Sequence, residues 1–381
     1  DSDTRRMKIF ADKNILAVQS SFSRYGELHF FDGRTVRQSD LLEADVLLVR
    51  SITTVNESLL GGTNVRFVGT ATSGIDHVDT AYLDSAGIYF ADAKGSNANA
   101  VVDYCFAALA FAALHRGFEL SGSRVGIVGV GAVGGLFSAK LQQLGIEVRC
   151  CDPFLEQAAG KQGQFFTLDE ALDCEVVSLH VPLTDGGAFP TRQLIAAKEL
   201  ARLRNKAVLI NACRGNVVDE QALEEVLEQR DDIVTVFDVW ADEPGIDSRL
   251  AARVDIATPH IAGYSQEAKA KATSMLVAAF ECYAKVDAGE EGDAVRADSV
   301  AVEFDPESAP LAVWETLLAA FPLVGLSDEF KLAQLEGSGA QAFDSIRQKL
   351  VRRHEFESRL LPSDNYSSEQ QERLAVLGFQ F

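Results

Sequence analysis

Positive charge is scarce in this chain of 381 residues, in which 35 lysines and arginines face 56 aspartates and glutamates, for a net charge of −21. Phosphate backbones and anionic lipid surfaces repel such an acidic chain, which argues against nucleic acid and membrane partners. A site for anionic ligands would therefore need its own local cations.

Cysteine and histidine are also few, with six of each. The cysteines lie at positions 105, 150, 151, 174, 213 and 282 without C-x-x-C or metal-ligand spacing, and the histidines are equally scattered. The sequence therefore predicts no metal site and reduced cysteines, as in a cytoplasmic protein.

Long hydrophobic runs are missing as well. The nearest candidate for a membrane span, residues 101–114, contains Asp103 and is too short. We expect no signal peptide, and the polar residues 1–6 are interpreted as a leader outside the fold. The composition is that of a globular protein, 47% hydrophobic and 24% charged, and the length predicts two or three domains.

Apolar runs that alternate with helical patterns predict two parallel α/β sheets. A long apolar helix, 99–114, separates them. The last part has a strand-like run and two helical patterns but no catalytic motif, and it is long enough for a small domain. The predicted strands are 8–11, 45–50, 65–70 and 88–91 in the first part, 125–129, 147–151, 175–180, 207–211, 233–238 and 254–257 in the second, and 300–304 in the last, whose helices are 311–321 and 342–352.

A glycine-rich loop follows the strand at 125–129. Gly129, Gly131 and Gly134 fit G-x-G-x-x-G, in which the glycines allow a tight turn, close approach of a pyrophosphate and close packing of the next helix. Asp152 ends the following strand, where a carboxylate binds ribose hydroxyls and repels the extra phosphate of NADP. A glycine-rich turn in an unrelated α/β protein is the alternative, but the complete βαβ pattern favours a site for NAD.

Three polar residues follow later strands of the second part, namely Arg214, Glu243 and His260. Ligands bind at the carboxyl ends of such strands. An arginine can hold a carboxylate, a histidine can take a hydroxyl proton as hydride leaves the same carbon, and a carboxylate can orient the imidazole. Each residue alone has an ordinary explanation as a surface charge, a turn residue or a structural histidine. Their combination with the glycine loop favours a dehydrogenase.

The motifs Asn-Ala-Cys-Arg-Gly, Asp-Val-Trp-x-x-Glu-Pro and Thr-Pro-His-Ile-Ala-Gly, with the glycine loop, resemble those of the D-isomer-specific 2-hydroxyacid dehydrogenases over residues 7–284. The resemblance implies that Arg214, Glu243 and His260 have the roles given above. It also implies two Rossmann-like doubly wound domains with the active site in their cleft. The expected domains are 7–95 with a returning helix 266–286 for substrate, 96–265 for NAD, and 287–381 as a small C-terminal α+β dimerisation domain of a homodimer.

Two features depart from most of the family, the short interval between Glu243 and His260 and the C-terminal segment. Together with Val-Arg-Ser-Ile-Thr at 49–53 and Gly-Thr-Ala-Thr-Ser-Gly-Ile-Asp-His at 69–77, they resemble a branch that oxidises 4-phospho-D-erythronate to 2-oxo-3-hydroxy-4-phosphobutanoate in pyridoxal 5'-phosphate (vitamin B6) biosynthesis. Another 2-hydroxyacid, such as 3-phosphoglycerate, hydroxypyruvate or D-lactate, stays open as the substrate. A non-catalytic NAD sensor of the same fold is the alternative from a different class.

The same resemblance implies the residues that contact the ligands. Val181 stands where we expect a threonine on the cofactor. Ser51 and Thr72 have a second interpretation as caps of turns. Arg50 is assigned to the substrate phosphate only by its position at the end of a strand. His77 is interpreted as a structural residue. The predicted substrate residues are Ser51, Thr72, Tyr264 and Arg50, and the predicted NAD residues are Gly129, Gly131, Ala132, Val133, Gly134, Asp152, Val181, Ala212, Cys213, Arg214, Asp238 and Gly263.

Overall fold

The computed structural model describes residues 6–159, 164–285, 302–303 and 313–381. Contacts between residues divide the chain into two units. The first contains the residues up to Asn97 and the helix that begins at Gln266, and the second contains Ala98–Ser265 and the C-terminal residues up to Phe381.

The first unit contains a five-stranded parallel sheet. Its strands lie in the order β2 (Glu27–Phe31), β1 (Lys8–Asp12), β3 (Val46–Val49), β4 (Phe67–Thr70) and β5 (Tyr89–Ala91). The four predicted strands are confirmed, and the edge strand β2 was missed because its exposed and half-buried positions interrupt the apolar pattern. Leu276 and Phe280 of the returning helix α11 pack with Ile9 and Phe67 in one core. The elements are β1 (Lys8–Asp12), α1 (Val18–Phe22), β2 (Glu27–Phe31), β3 (Val46–Val49), α2 (Glu57–Leu60), β4 (Phe67–Thr70), α3 (Thr80–Ser85), β5 (Tyr89–Ala91) and α11 (Gln266–Ala284).

The second unit is built on a six-stranded parallel sheet in the order β11-β10-β9-β8-β6-β7, so all six predicted strands are confirmed. The strand order reverses between β6 and β8, the place where open α/β sheets bind ligands. The strands are β6 (Arg124–Val128), β7 (Glu147–Cys151), β8 (Val176–Leu179), β9 (Val208–Asn211), β10 (Val234–Phe237) and β11 (Ile256–Ala257).

The helices of this sheet begin and end at the expected signals. Thr167 forms a capping box with Glu170, and the Asp219 carboxylate accepts a hydrogen bond from the Ala222 amide. Gly145, with φ 77°, follows the end of α5. The helices are α4 (Ala98–Arg116), α5 (Ala132–Gln143), α6 (Pro153–Ala159), α7 (Leu168–Leu172), α8 (Ala197–Ala201), α9 (Glu220–Leu227) and α10 (Ser248–Arg253).

Helix α4 is long and apolar enough to cross a membrane by length and composition alone. However, 78% of its most apolar window is buried inside the protein. Its side chains lie in the same hydrophobic cluster as those of β6 and β9. The helix therefore forms the centre of the second unit's core.

The C-terminal residues pack on this second unit. Leu317, Phe321 and Phe330 belong to the same hydrophobic cluster as Val125 and Ile210 of the sheet, so they share its core. Among the residues of this part that the structure describes, both predicted helices are present, with two further α-helices and a two-stranded parallel sheet. The elements are β12 (Val302–Glu303), α12 (Val313–Ala320), α13 (Leu323–Leu335), α14 (Gly339–Lys349), β13 (Arg359–Leu360) and α15 (Ser368–Leu377). The remaining residues of the strand predicted at 300–304 lie outside the described residues.

Candidate active site

The glycine loop connects β6 to α5, and each of its glycines has a distinct role. Gly129 has φ 91°, and a Cβ there would lie 2.7 Å from the His180 carbonyl oxygen. A Cβ on Gly134 would overlap the Gly129 carbonyl oxygen, so this glycine permits the helix to pack against the strand. A Cβ on Gly131 would meet nothing within 4 Å. Open space therefore lies beside the N-terminus of α5, whose first turn contains Ala132 and Val133. The N-terminus of a helix is a favourable place for a phosphate group.

Asp152 follows β7 beside this loop. Its Oδ2 accepts a hydrogen bond from the Val130 amide at 2.9 Å, and its Oδ1 accepts one from the Leu155 amide at 3.1 Å. The carboxylate is thus fixed next to the glycine loop and stays half-buried. This is the position that selects NAD over NADP in such folds.

Val181 lies across the loop from these residues. Its Cγ1 would be 2.8 Å from a Cβ on Gly129, so the methyl group packs closely on the turn. The side chain has no hydroxyl with which to hold a cofactor. A cofactor contact at this position would therefore use the backbone.

The segment Ala212–Arg214 follows β9 and is held by Asn211. The Asn211 amide donates to the Arg214 carbonyl at 3.1 Å, and its oxygen accepts from the Cys213 amide at 3.3 Å. Arg214 is half-buried, and its Nη1 donates to the Cys213 carbonyl at 2.7 Å. Burial raises the pKa of the Cys213 thiol to about 11, so this cysteine is a neutral thiol at physiological pH.

Glu243 and His260 form a direct pair. The Nδ1 of His260 lies 2.7 Å from Oε2 of Glu243, and Oε1 of Glu243 accepts a hydrogen bond from the Trp240 amide at 2.9 Å. Burial raises the pKa of Glu243, but the His260 charge and hydrogen bond, the Trp240 amide and the Arg347 charge outweigh it, so the pKa is lowered overall. An ionised Glu243 that accepts the Nδ1 proton leaves Nε2 of His260 available to exchange a proton with a substrate.

Asp238 orders the loop that contains His260. Its carboxylate is fully buried, with Oδ1 accepting from the Ile261 amide and Oδ2 accepting from the Ala262 amide, each at 2.8 Å. His260 itself has φ 55°, in the left-handed region, and its amide donates to the Asp238 carbonyl at 2.7 Å. Burial raises the pKa of Asp238, against the His260 charge and these amides. In this geometry the carboxylate holds the loop that contains His260, and its contact with NAD stays a prediction.

Tyr264 ends the same loop, directly after Gly263. Its hydroxyl accepts hydrogen bonds from Nε and Nη2 of Arg347, at 2.9 and 2.5 Å. Its carbonyl accepts one from Nε of Arg353 at 2.8 Å. Both arginines belong to the C-terminal residues, and no motif in that part of the sequence pointed to them.

His180 is a second histidine near the glycine loop, but it is not a candidate base. Burial lowers its pKa to about 4, so the ring is neutral at physiological pH. Its Nε2 lies 2.9 Å from the Ser178 hydroxyl, and the ring packs edge-on against Phe137. His180 is therefore a half-buried packing residue beside the loop.

The predicted substrate residues Arg50, Ser51 and Thr72 lie in the first unit. Ser51 is exposed just beyond β3, and Nε of Arg50 is 3.3 Å from the buried Asp12 carboxylate, which offsets part of its charge. The Thr72 hydroxyl lies 2.7 Å from that of Thr70, and Thr70 in turn lies 2.9 Å from Nε2 of His77. This supports the structural interpretation of His77, which fixes the threonine pair.

No group of three or more histidine, cysteine or acidic residues suited to a metal ion is present among the residues that the structure describes. A glycine loop with an acidic partner, an arginine, and a histidine paired to a glutamate define an NAD-dependent oxidoreductase of the 2-hydroxyacid class.

Comparisons with known proteins agree with this class. A family profile described as "D-isomer specific 2-hydroxyacid dehydrogenase, NAD binding domain" matches residues 108–262. An erythronate-4-phosphate dehydrogenase from Marinomonas sp. (strain MWYL1) is 38% identical over 98% of this chain and 99% of its own. Another from Hahella chejuensis (strain KCTC 2396) is 47% identical over 71% of this chain and 70% of its own.

A solved structure shows the same fold. The NAD+-bound 3-phosphoglycerate dehydrogenase of Entamoeba histolytica has a TM-score of 0.63 at 23% identity, and the match covers 74% of this chain and 97% of that one. About a quarter of the present chain is thus additional to that enzyme, whereas the relative from Marinomonas matches almost the full length. The chain belongs to the D-isomer-specific 2-hydroxyacid dehydrogenases and, within them, to the erythronate-4-phosphate dehydrogenases.

Proposed function

We propose that the protein oxidises 4-phospho-D-erythronate at C2 to 2-oxo-3-hydroxy-4-phosphobutanoate with NAD as the hydride acceptor, a step of pyridoxal 5'-phosphate biosynthesis. The observation that carries the proposal is the 2.7 Å pair between His260 and Glu243 in a unit that also holds the glycine loop and Arg214. Family membership supports the choice of this acid among the 2-hydroxyacids.

His260 is the base in this proposal. Its Nδ1–H donates to Glu243, so the lone pair of Nε2 takes the proton of the C2 hydroxyl while the C2 hydrogen leaves as hydride. The ionised Glu243 stabilises the resulting imidazolium, as its lowered pKa requires. Arg214 clamps the substrate carboxylate and polarises the ketone that forms.

The glycine loop has room for NAD on one side only. A Cβ on Gly131 would meet nothing within 4 Å, whereas a Cβ on Gly129 or Gly134 would collide with neighbouring backbone atoms. NAD, when bound, supplies the nicotinamide carbon that accepts the hydride. The residues proposed to hold it are those predicted from the sequence, with Asp152 on the ribose and the first turn of α5 on the pyrophosphate.

Ser51, Thr72, Tyr264 and Arg50 are proposed as substrate contacts. Each offers a hydroxyl or a guanidinium donor, which suits a hydroxylated, phosphorylated anion. We further propose that the protein acts in the cytoplasm as a homodimer assembled through residues 287–381. Size-exclusion chromatography with light scattering of the full chain tests the second point, because the full chain should have the mass of a dimer.

The decisive experiment follows NADH absorbance with 4-phospho-D-erythronate, D-erythronate and 3-phosphoglycerate in parallel. We expect turnover to require the phosphorylated four-carbon acid. His260→Ala should abolish NADH formation while retaining NAD binding, as measured by calorimetry. Preference for 3-phosphoglycerate would refute the substrate assignment, and NAD binding without turnover of any acid would favour the NAD-sensing alternative.

A further inference from the structure

We infer that Arg347, in the C-terminal helix α14, binds the phosphate group of the substrate, with Tyr264 holding the guanidinium in place. The inference rests on the proposed function and extends it to a residue that no sequence motif indicated. It assigns the C-terminal segment a part in substrate recognition.

The guanidinium of Arg347 is held by several contacts within the second unit. Nε and Nη2 donate to the Tyr264 hydroxyl at 2.9 and 2.5 Å. The same group lies over the Tyr264 ring, 5.0 Å from its centroid, and over the Phe343 ring at 5.1 Å. Two contacts with aromatic rings and two hydrogen bonds to one hydroxyl hold the guanidinium in place, which reduces the entropy lost when it binds an anion.

Arg347 also lies within electrostatic range of the catalytic pair, since its charge lowers the pKa of Glu243. The substrate phosphate is joined through oxygen to C4, only two carbons beyond the reacting C2. A cation that binds it must therefore lie close to His260, on the opposite side from the group that holds the carboxylate. Arg214 is assigned to the carboxylate, and Arg347 supplies the second cation in the same unit.

Arg347 lies outside residues 108–262, which the profile of the NAD-binding domain matches. The NAD+-bound 3-phosphoglycerate dehydrogenase of Entamoeba histolytica covers 74% of this chain, whereas the Marinomonas erythronate-4-phosphate dehydrogenase covers 98%. In a chain of net charge −21, a fixed arginine beside the active-site loop offsets the repulsion of a phosphate dianion. The segment therefore contributes specificity as well as packing.

The test is Arg347→Met in the full-length protein, which keeps much of the apolar stem and removes the charge. We expect KM for 4-phospho-D-erythronate to rise about 10- to 100-fold, the loss typical of a charge-assisted hydrogen bond, with a much smaller change in kcat. Inhibition by inorganic phosphate should weaken by a similar factor. Arg347→Lys retains the charge without the bidentate geometry and should recover part of the affinity.

Arg352→Met is the matched control, because Arg352 is an exposed arginine in the same segment and its loss changes the net charge equally. It should leave KM and phosphate inhibition unchanged. Unchanged phosphate inhibition in Arg347→Met would overturn the inference, as would an equal rise of KM in the Arg352→Met control. Absence of wild-type turnover with 4-phospho-D-erythronate would instead overturn the proposed function.

Discussion

Replacement of Glu243 by glutamine tests the proposed catalytic pair of Glu243 and His260 most directly. The glutamate uses both carboxylate oxygens, one 2.7 Å from Nδ1 of His260 and the other accepting from the Trp240 amide at 2.9 Å. Glutamine has the same shape but only one acceptor oxygen and no charge. The variant therefore loses the charge that stabilises the protonated imidazole and one of the two hydrogen bonds.

The magnitude follows from the geometry. A hydrogen bond to a charged group contributes about 1.5–3 kcal/mol. At about 1.4 kcal/mol for each factor of ten in rate, this predicts a fall in kcat of about 10- to 150-fold. The side chains of His260 and Glu243 are 37% and 23% exposed, so water replaces part of the lost interaction and the lower half of this range is expected.

The assay measures kcat and kcat/KM for NADH formation between pH 6 and 9, with NAD affinity and thermal unfolding in parallel. Because the carboxylate stabilises the protonated imidazole, its loss should also move the acid limb of the kcat/KM profile to lower pH. Glu220→Gln is the control, since Glu220 accepts from the nearby Ala241 amide at 2.7 Å and no bond joins it to His260 in the described contacts. The control should retain kcat within a few-fold.

A Glu243→Gln variant with wild-type kcat, an unchanged pH profile and an intact fold would refute the role of this pair. A fall in kcat matched by an equal fall in the Glu220→Gln control would also refute it. The effect would then come from the fold of the loop around Trp240 and Ala241, which both glutamates hold through backbone amides.

Three further predictions concern the cofactor loop and the core. Gly134→Ala should weaken NAD binding and lower the melting temperature, because its Cβ would overlap the Gly129 carbonyl oxygen. Gly131→Ala should weaken NAD binding without lowering the melting temperature, because its Cβ would meet nothing within 4 Å. Equal melting temperatures of the two variants would contradict this difference. Asp152→Ala should reduce the preference for NAD over NADP in a fluorescence titration, and an unchanged preference would remove Asp152 from the ribose site. Burial raises the pKa of Asp103 to about 7. Between about pH 4 and 7 the folded protein therefore keeps a proton on Asp103 that the unfolded chain releases. The free energy of unfolding should fall as the pH rises through this range. Asp103→Asn should flatten this fall in urea titrations at pH 5 and 7.5, and an unchanged slope would exclude Asp103 as its source.

The sheets could be predicted from sequence because buried parallel strands are continuous apolar runs. Val46–Val49 and Val208–Asn211 are buried at every position, so their pattern is unambiguous. Every residue of the edge strand Glu27–Phe31 is exposed or half-buried, so this strand has no continuous apolar run to predict it. Helix α13 was missed for a different reason, since its buried and exposed leucines do not form one clear stripe.

The proposed catalytic residues Arg214, Glu243 and His260 could be found from the sequence because each lies shortly after a strand or within a short motif. Their supporting residues were not. Arg347 follows Tyr264 by 83 residues and Arg353 follows Asp103 by 250, and nothing local in the sequence marks such partners.

Both arginines bind the loop that begins at His260, one at the hydroxyl of Tyr264 and the other at its carbonyl. The C-terminal segment shares the core of the second unit and also holds the end of the loop that contains His260, so it is an integral part of that unit. Loss of its packing would release Tyr264 and shift the loop that contains His260, the proposed base. Substitutions that break the contacts between the C-terminal segment and Tyr264 should therefore lower the rate of NADH formation, even when light scattering shows an unchanged oligomeric state.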